Sequence, residues 1–386
     1  MNISFDFNLP TIIKFGEGRI KSTSKIINEN IPGNRVFVVT DSGIEEAGLV
    51  MPIITKLKDS GYQVEVFDEI SPNPKDIECE KGRAAIREFD ADMILAVGGG
   101  SVIDTAKAIA LLQSHEGPVA LYEGRNKAVN EMKPIIAIPT TAGTGSEVTF
   151  SAVITDTKRK FKMSMRNTGF APKIAIIDPE TTYTLPRALT ASTGMDALVH
   201  AIEAFTCTMS NAFSDVWAKE AIRYIFTYLN EAVSEGTKES RHYMMLGSVM
   251  AGIAFSRSDV AAVHCMAEAV GGLYDIPHGV ANSIFLPVVT EFNTEQDPAR
   301  HAEIARICGL AVAGLSDIEA AGLLVSELYK LSERIGIPKL KDLHNVNPKD
   351  FDRLAEASLI NGSTPSNCRK ITKSDYIDLF HKAYEL

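Results

Sequence analysis

Asp196 and His200 lie one helical turn apart in GMDALVHAIEAF, and His264 and His278 bracket AVHCMAEAVGGLYDIPHGVAN. A carboxylate and three imidazoles can all bind a divalent ion at neutral pH, so this quartet reads as a metal site. Side chains four apart on a helix share a face, which lets Asp196 and His200 grip one ion together. Taken alone, an Asp-x-x-x-His pair is as compatible with an ordinary helix surface as with a metal. The second region tips the reading. Gly271, Gly272 and Pro277 predict that one helix ends and another begins near His278, bringing an imidazole from each to a common point. Glu203, one turn past His200, is either an acceptor that orients it or a solvated carboxylate. His115, His242, His301, His344 and His381 show no ligand context. HExxH is absent, which excludes a zincin-type protease.

The elements that must position these residues fall into two textures. Up to about residue 184, short β-branched runs alternate with amphipathic stretches, the pattern of a parallel sheet flanked by helices. Strands are predicted in RVFVVTD, YQVEVFDEI, ADMILAVGGG, KPIIAIPTT and KIAIIDP, and helices around IEEAGLVMPIITKLKDSG and IECEKGRAAIREFD. Beyond TLPRALTASTGMDALVH the patterns are helical, as in SDVWAKEAIRYIFTYLNEAV and ARHAEIARICGLA. The expected organisation is an α/β domain over 1–184 and an all-helical domain over 185–386.

The strand ADMILAVGGG runs straight into the helical pattern SVIDTAKAIALL, so Gly98, Gly99 and Gly100 sit at a strand-to-helix turn. Glycine lets the backbone approach a ligand, and a helix N-terminus offers free N–H groups to a pyrophosphate. A tight turn without a ligand explains the same residues equally well, and the G-x-G-x-x-G fingerprint is absent. Ser101 either caps the helix or donates to phosphate, and Asp104 and Lys107 lie three apart on one face. Asp41 ends the first strand, where a carboxylate can bind ribose hydroxyls and repel a 2′-phosphate, favouring NAD over NADP, or can simply cap a helix. IPTTAGTGSEVT crowds Thr140, Thr141, Thr144, Ser146 and Thr149 around two glycines, suited to phosphate or nicotinamide contact, although a solvated loop uses the same residues. Lys162, in KRKFKMS, reads as a surface lysine unless the fold turns it toward a cofactor.

The 386 residues exceed the usual size of one hydrophobic core. Hydrophobic residues at 45% and charged residues at 23% make an ordinary globular composition. A net charge of −10 excludes broad nucleic-acid or anionic-membrane binding, which needs a concentrated basic face. No apolar run approaches the ~20 residues of a membrane span, and MNISFDFNLP lacks the features of a signal peptide. Cys79, Cys207, Cys265, Cys308 and Cys368 are scattered and odd in number, which argues against a disulfide framework and for the cytoplasm. Cys265, beside His264, reads as a small buried residue.

FNLPTIIKFGEG, SPNP, GGGSVIDTAKAIA, IPTTAGTGSEVT, IDPETTYTLP, GMDALVHAIEAF, AGIAF and YDIPHGVANSIFLP together resemble the iron-dependent (group III) alcohol dehydrogenases, nearly end to end. The resemblance implies a dinucleotide-binding α/β domain followed by an all-α domain, a dehydroquinate synthase-like architecture with the active site in the cleft. It implies that Asp196, His200, His264 and His278 hold Fe²⁺, or in some members Zn²⁺. It further implies nucleotide roles for Asp41, Asn73, Gly98, Gly99, Gly100, Ser101, Thr140, Thr141, Thr149 and Lys162, and a homodimer or larger assembly. Two positions depart from the family pattern. Glu268 stands where a second histidine is frequent four residues after His264: it is the candidate for proton transfer, with bound water as the other route, or else that histidine's role is dispensable. Cys368 stands where a proline is common, a packing change.

The expected activity is reversible, NAD-dependent oxidation of a small primary alcohol or diol to its aldehyde, with Phe255 of AGIAF as a candidate wall of the substrate pocket. Two alternatives stay open. A metal- and NAD-dependent sugar-phosphate cyclase needs a compact basic cluster that the helical half does not show, and a noncatalytic metal- or nucleotide-binding subunit would bind NAD without turnover.

Overall fold

A computed structural model describes residues 4–386. The strands are β1 (Ile12–Phe15), β2 (Arg35–Val39), β3 (Gln63–Phe67), β4 (Met93–Gly98), β5 (Gly124–Arg125), β6 (Ile135–Pro139), β7 (Ser151–Asp156), β8 (Phe161–Arg166) and β9 (Ile174–Ile177). Among them run α1 (Thr23–Asn30), α2 (Ser42–Glu46), α3 (Val50–Asp59), α4 (Asp76–Phe89) and α5 (Gly100–Ser114). Asn8–Thr141 and Gly145–Leu185 make one compact unit. A six-stranded, all-parallel sheet in the order β1-β9-β6-β4-β2-β3 is its centre.

Period-two alternation builds both faces of this sheet. Val36, Val38, Met93 and Leu95 pack with Ile26 and Ile27 of α1 and Ile53, Ile54 and Leu57 of α3 on one side. On the other, Phe37, Val39, Ile94 and Ala96 pack with Ile86 of α4 and Ile103, Ala106 and Ile109 of α5. Because both faces are covered, β4 is buried at every position and reads as an unbroken apolar run. The chain leaves β2 through α3 toward one edge of the sheet, and leaves β4 through α5 toward the other edge on the opposite face. Ligands of open α/β sheets sit outside the strand ends at such a divergence. The residues that follow these two strands are Asp41 and Gly99–Gly100.

Three local differences from the sequence expectation have identifiable causes. The helix anticipated around residues 44–61 is two helices, α2 and α3, because Gly48 adopts φ +72° between them. An antiparallel pair, β7 with β8, joins β5 in a second, three-stranded sheet. Lys162 lies in β8 and is buried, so the surface reading of KRKFKMS is corrected: charged neighbours in sequence concealed an inward position.

Pro186–Leu386, together with Ala142–Thr144, belong to the second unit. Its helices are α6 (Arg187–Thr206), α7 (Ala212–Ser234), α8 (Lys238–Ser256), α9 (Ala262–Tyr274), α10 (His278–Thr294), α11 (Pro298–Ile307), α12 (Asp317–Arg334), α13 (Phe351–Leu359) and α14 (Lys373–Glu385). Helix α6 is buried on nearly all sides, between α7, α8 and α10, as its weak amphipathicity requires. Gly271 and Gly272 do not end α9. It continues to Tyr274, and Asp275 at φ +59° makes the turn. Pro277 then precedes His278, the first residue of α10. Among the described residues no helix is long and apolar enough to cross a membrane.

The approach of α5 to β4 depends on Gly98, where a Cβ would lie 2.5 Å from Val102 Cγ2. Gly98→Ala is expected to cost about 1–3 kcal/mol through overpacking, read as a lowered urea midpoint. An unchanged midpoint would show that α5 can shift outward freely.

Candidate functional site

In the helical unit, α6 supplies Asp196 and His200 from adjacent turns of one face, α9 supplies His264 and α10 supplies His278. Donor atoms of Asp196, His200 and His264 all lie within 4.8 Å of one another, and the three residues are buried. His200 Nε2 faces His264 Nε2 at 3.0 Å. His278 Nε2 is 3.8 Å from Asp196 Oδ1, and its side chain, 24% exposed, is the member nearest solvent. Gly279 permits this convergence, since a Cβ there would meet the Ser192 carbonyl oxygen of α6 at 2.7 Å.

Burial decides the charge states. Desolvation drives His200 down to about 3, with the neighbouring His264 and His278 acting in the same direction and Asp196 opposing, so its imidazole is neutral at physiological pH and able to ligate. His264 is also desolvated, but the hydrogen bond and charge of Glu203 outweigh that and raise its pKa. Glu203 accepts His264 Nδ1–H at 2.6 Å, Ala261 N–H at 2.8 Å and Val263 N–H at 2.7 Å. It therefore orients His264, not His200 as its spacing along α6 suggested. This carboxylate leaves His264 Nε2 facing His200, the arrangement of a carboxylate–histidine–metal relay. Two imidazole nitrogens face each other at hydrogen-bond distance beside a buried carboxylate. One cation between them satisfies all three, and a nitrogen and oxygen donor set without sulfur fits Fe²⁺ or Zn²⁺.

Asn282 was not picked out by the sequence reading, although it lies one turn beyond His278. Its amide donates to Asp196 Oδ1 at 2.6 Å and lies 3.1 Å from His278 Nε2, coupling Asp196 of α6 to His278 of α10. Phe255, half-buried at the end of α8, stacks on His200 with ring centroids 4.3 Å apart. Glu268, one turn beyond His264 on α9, accepts from Asn361 Nδ2 at 2.6 Å, and its charge also favours protonated His264.

In the α/β unit, Thr40 Oγ1 donates to the Val97 carbonyl at 2.9 Å, and Thr140 N donates to the Gly98 carbonyl at 3.1 Å. The ends of β2, β4 and β6 are thereby tied around the glycine turn. Asp41 caps α2 by accepting from Ile44 N at 3.0 Å. Gly99 is the N-cap of α5, and Ser101 Oγ donates to the Pro72 carbonyl instead of capping the helix. A Cβ on Gly99 would come 3.3 Å from the Thr141 side chain, so the turn is kept bare on the side of that loop. Thr140 Oγ1 is buried with no hydrogen-bond partner, a hydroxyl in want of one. Buried Lys162 donates to Asn73 Oδ1 at 2.8 Å, bringing together two candidates 89 residues apart. Bare helix N–H groups, an unsatisfied hydroxyl and a carboxylate at diverging strand ends fit a dinucleotide.

Residues 10–179 match the model of the iron-containing alcohol dehydrogenases, and residues 190–384 match that of the C-terminal part of the Fe-containing alcohol dehydrogenase family. The 1,3-propanediol dehydrogenase of Klebsiella pneumoniae is 38% identical over 98% of this chain and 99% of its own. The NAD-dependent methanol dehydrogenase of Bacillus methanolicus is 35% identical over 98% and 99%. A crystal structure of a 1,3-propanediol oxidoreductase superposes with a TM-score of 0.94 at 39% identity, covering 98% of this chain and 100% of its own. A buried nitrogen and oxygen ligand set, a glycine turn at diverging strands and these full-length likenesses agree: the chain belongs to the iron-containing alcohol dehydrogenase family, a family of metal-dependent alcohol oxidoreductases.

Proposed function

We propose that this family member transfers hydride between NAD(H) and a small primary alcohol or diol and its aldehyde. The observation that carries the reading is the convergence of Asp196, His200 and His264 within 4.8 Å in a buried site, with His278 at its more exposed side. We assign the ion, Fe²⁺ with Zn²⁺ as the alternative, to these four residues. When bound, the ion supplies Lewis acidity toward an alcohol or carbonyl oxygen, and the nicotinamide accepts or returns the hydride.

The chain's own residues do the rest. Glu203 holds the Nδ1 proton of His264 and so fixes the tautomer whose Nε2 can ligate. Asn282 fixes the Asp196 carboxylate. Phe255, stacked on His200, offers an apolar wall that suits a short carbon chain. Glu268 receives or returns the alcohol proton, held in place by Asn361. For the nucleotide, Gly98, Gly99, Gly100 and Ser101 form the pyrophosphate turn, and Asp41 faces the adenosine ribose. Thr140, Thr141, Thr149, Asn73 and Lys162 complete the contacts. Domains at 1–184 and 185–386 remain our working division.

The chain works in the cytoplasm as a homodimer or larger assembly. Five free cysteines fit a reducing compartment. Exposed Met209, Phe213 and Val216 near the start of α7 fit an apolar contact between copies.

NADH formation with a panel of short alcohols and diols, using anaerobically metal-reconstituted protein, is expected to show turnover. Absence of turnover with every alcohol and aldehyde, in both directions, would sink the reading. His264→Ala should abolish metal content and turnover together. Glu203→Gln, which cannot hold the Nδ1 proton with a negative charge, should weaken metal affinity about 10- to 100-fold in a chelator competition; wild-type affinity would remove Glu203 from the site. Glu268→Gln should lower kcat about 100-fold with metal content and NADH affinity retained. An unchanged kcat would assign proton transfer elsewhere.

A further inference from the structure

Lys107 is fully buried, on the helix whose first turn is the glycine turn. Its ammonium donates to Ser146 Oγ at 2.7 Å, to Thr149 Oγ1 at 3.0 Å and to the Ser151 carbonyl at 2.7 Å. Asp104, one turn earlier and 3.7 Å from the ammonium, accepts from Ser146 Oγ at 2.6 Å and from Val153 N at 2.9 Å. Buried Glu147 lies in the same neighbourhood, and desolvation pushes it up to about 7.

Stability alone gives no reason for this ammonium. A buried ion carries a desolvation penalty of several kcal/mol, and a well-packed apolar residue of similar volume is often as stable or more so. What the ammonium adds is direction. All three of its protons go to the segment 146–151, which holds Thr149, while its stem belongs to α5, which holds Gly100 and Ser101. Lys107 lies seven helical positions beyond Gly100, a span of about 10 Å. One cation thus fixes the hydroxyl loop relative to the helix N-terminus.

We infer that Lys107, braced by Asp104, is a positioning residue for the dinucleotide: it acts through Thr149 and Ser146 to hold the loop in register with the glycine turn. The inference rests on the assignment of Thr149 and the glycine turn to NAD. Without the clamp, the loop must be ordered when the nucleotide binds, and affinity falls by that cost.

The test is a double-mutant cycle on NADH affinity, measured by fluorescence titration of the metal-loaded protein. Thr149→Val and Lys107→Met are each expected to raise the Kd about tenfold, with metal content unchanged, and the double variant is expected to be no weaker than the weaker single one. A Kd for Lys107→Met within about twofold of wild type, or losses that add in full, would overturn the clamp while leaving the nucleotide assignment intact. If Thr149→Val binds NADH as wild type does, Thr149 is not a cofactor contact and both readings fall. Should Lys107→Met fail to fold, Ser146→Ala takes its place: a Kd raised about threefold or more supports the clamp, and an unchanged Kd overturns it.

Discussion

The Glu203 carboxylate is the interaction on which the convergence of α6 and α9 depends. A buried carboxylate is tolerated only when its lone pairs are engaged, and Glu203 meets that condition with two backbone N–H groups and one imidazole N–H, all at 2.6–2.8 Å. The backbone donors lie at the start of α9, where a helix leaves N–H groups without intrahelical partners. One negative charge therefore closes a helix end and sets the tautomer of His264, 61 residues further along the chain. Since Glu203 also belongs to the helix that carries Asp196 and His200, the side chains of α6 and α9 are held in one register.

Asn282 does the corresponding work for α10, and it needs the close approach that Gly279 allows. Asp196, His200 and His264 are thus held at one point by protein contacts alone. Such preorganisation leaves little to be ordered by an occupant of the site, and burial keeps His200 neutral. In the α/β unit the same economy appears in a different form. Backbone bonds and two threonine positions tie three strand ends together, and a buried ammonium anchors the loop beside them.

Much of this was legible in one dimension. The alternation of β-branched runs and amphipathic stretches indicated the parallel sheet, and the long helical patterns after Pro186 indicated the helical part. The His264-to-His278 segment was correctly read as helix, turn and helix, although its glycines proved to lie inside α9 and Asp275 to make the turn. The β7–β8 pair carries charged residues at and beside its turn, which hid the inward position of Lys162 among exposed neighbours. The split between α2 and α3 turned on the backbone angle of Gly48, which composition does not reveal.

The sequence by itself determined the candidate donor types, the shared helix face of Asp196 and His200, the glycine turn and the family, because these depend on residue identity and on helical or strand periodicity. Tertiary structure alone decided which partner each second-line residue takes. Glu203 lies one turn from His200 yet binds His264, 61 residues on; Lys162 finds Asn73 across 89 residues; and Lys107 joins Thr149 across 42. Local spacing fixes only which face of an element a side chain occupies. The element that faces it is set by packing of the whole core, and the hydrogen-bond requirement of a buried charge then selects the partner.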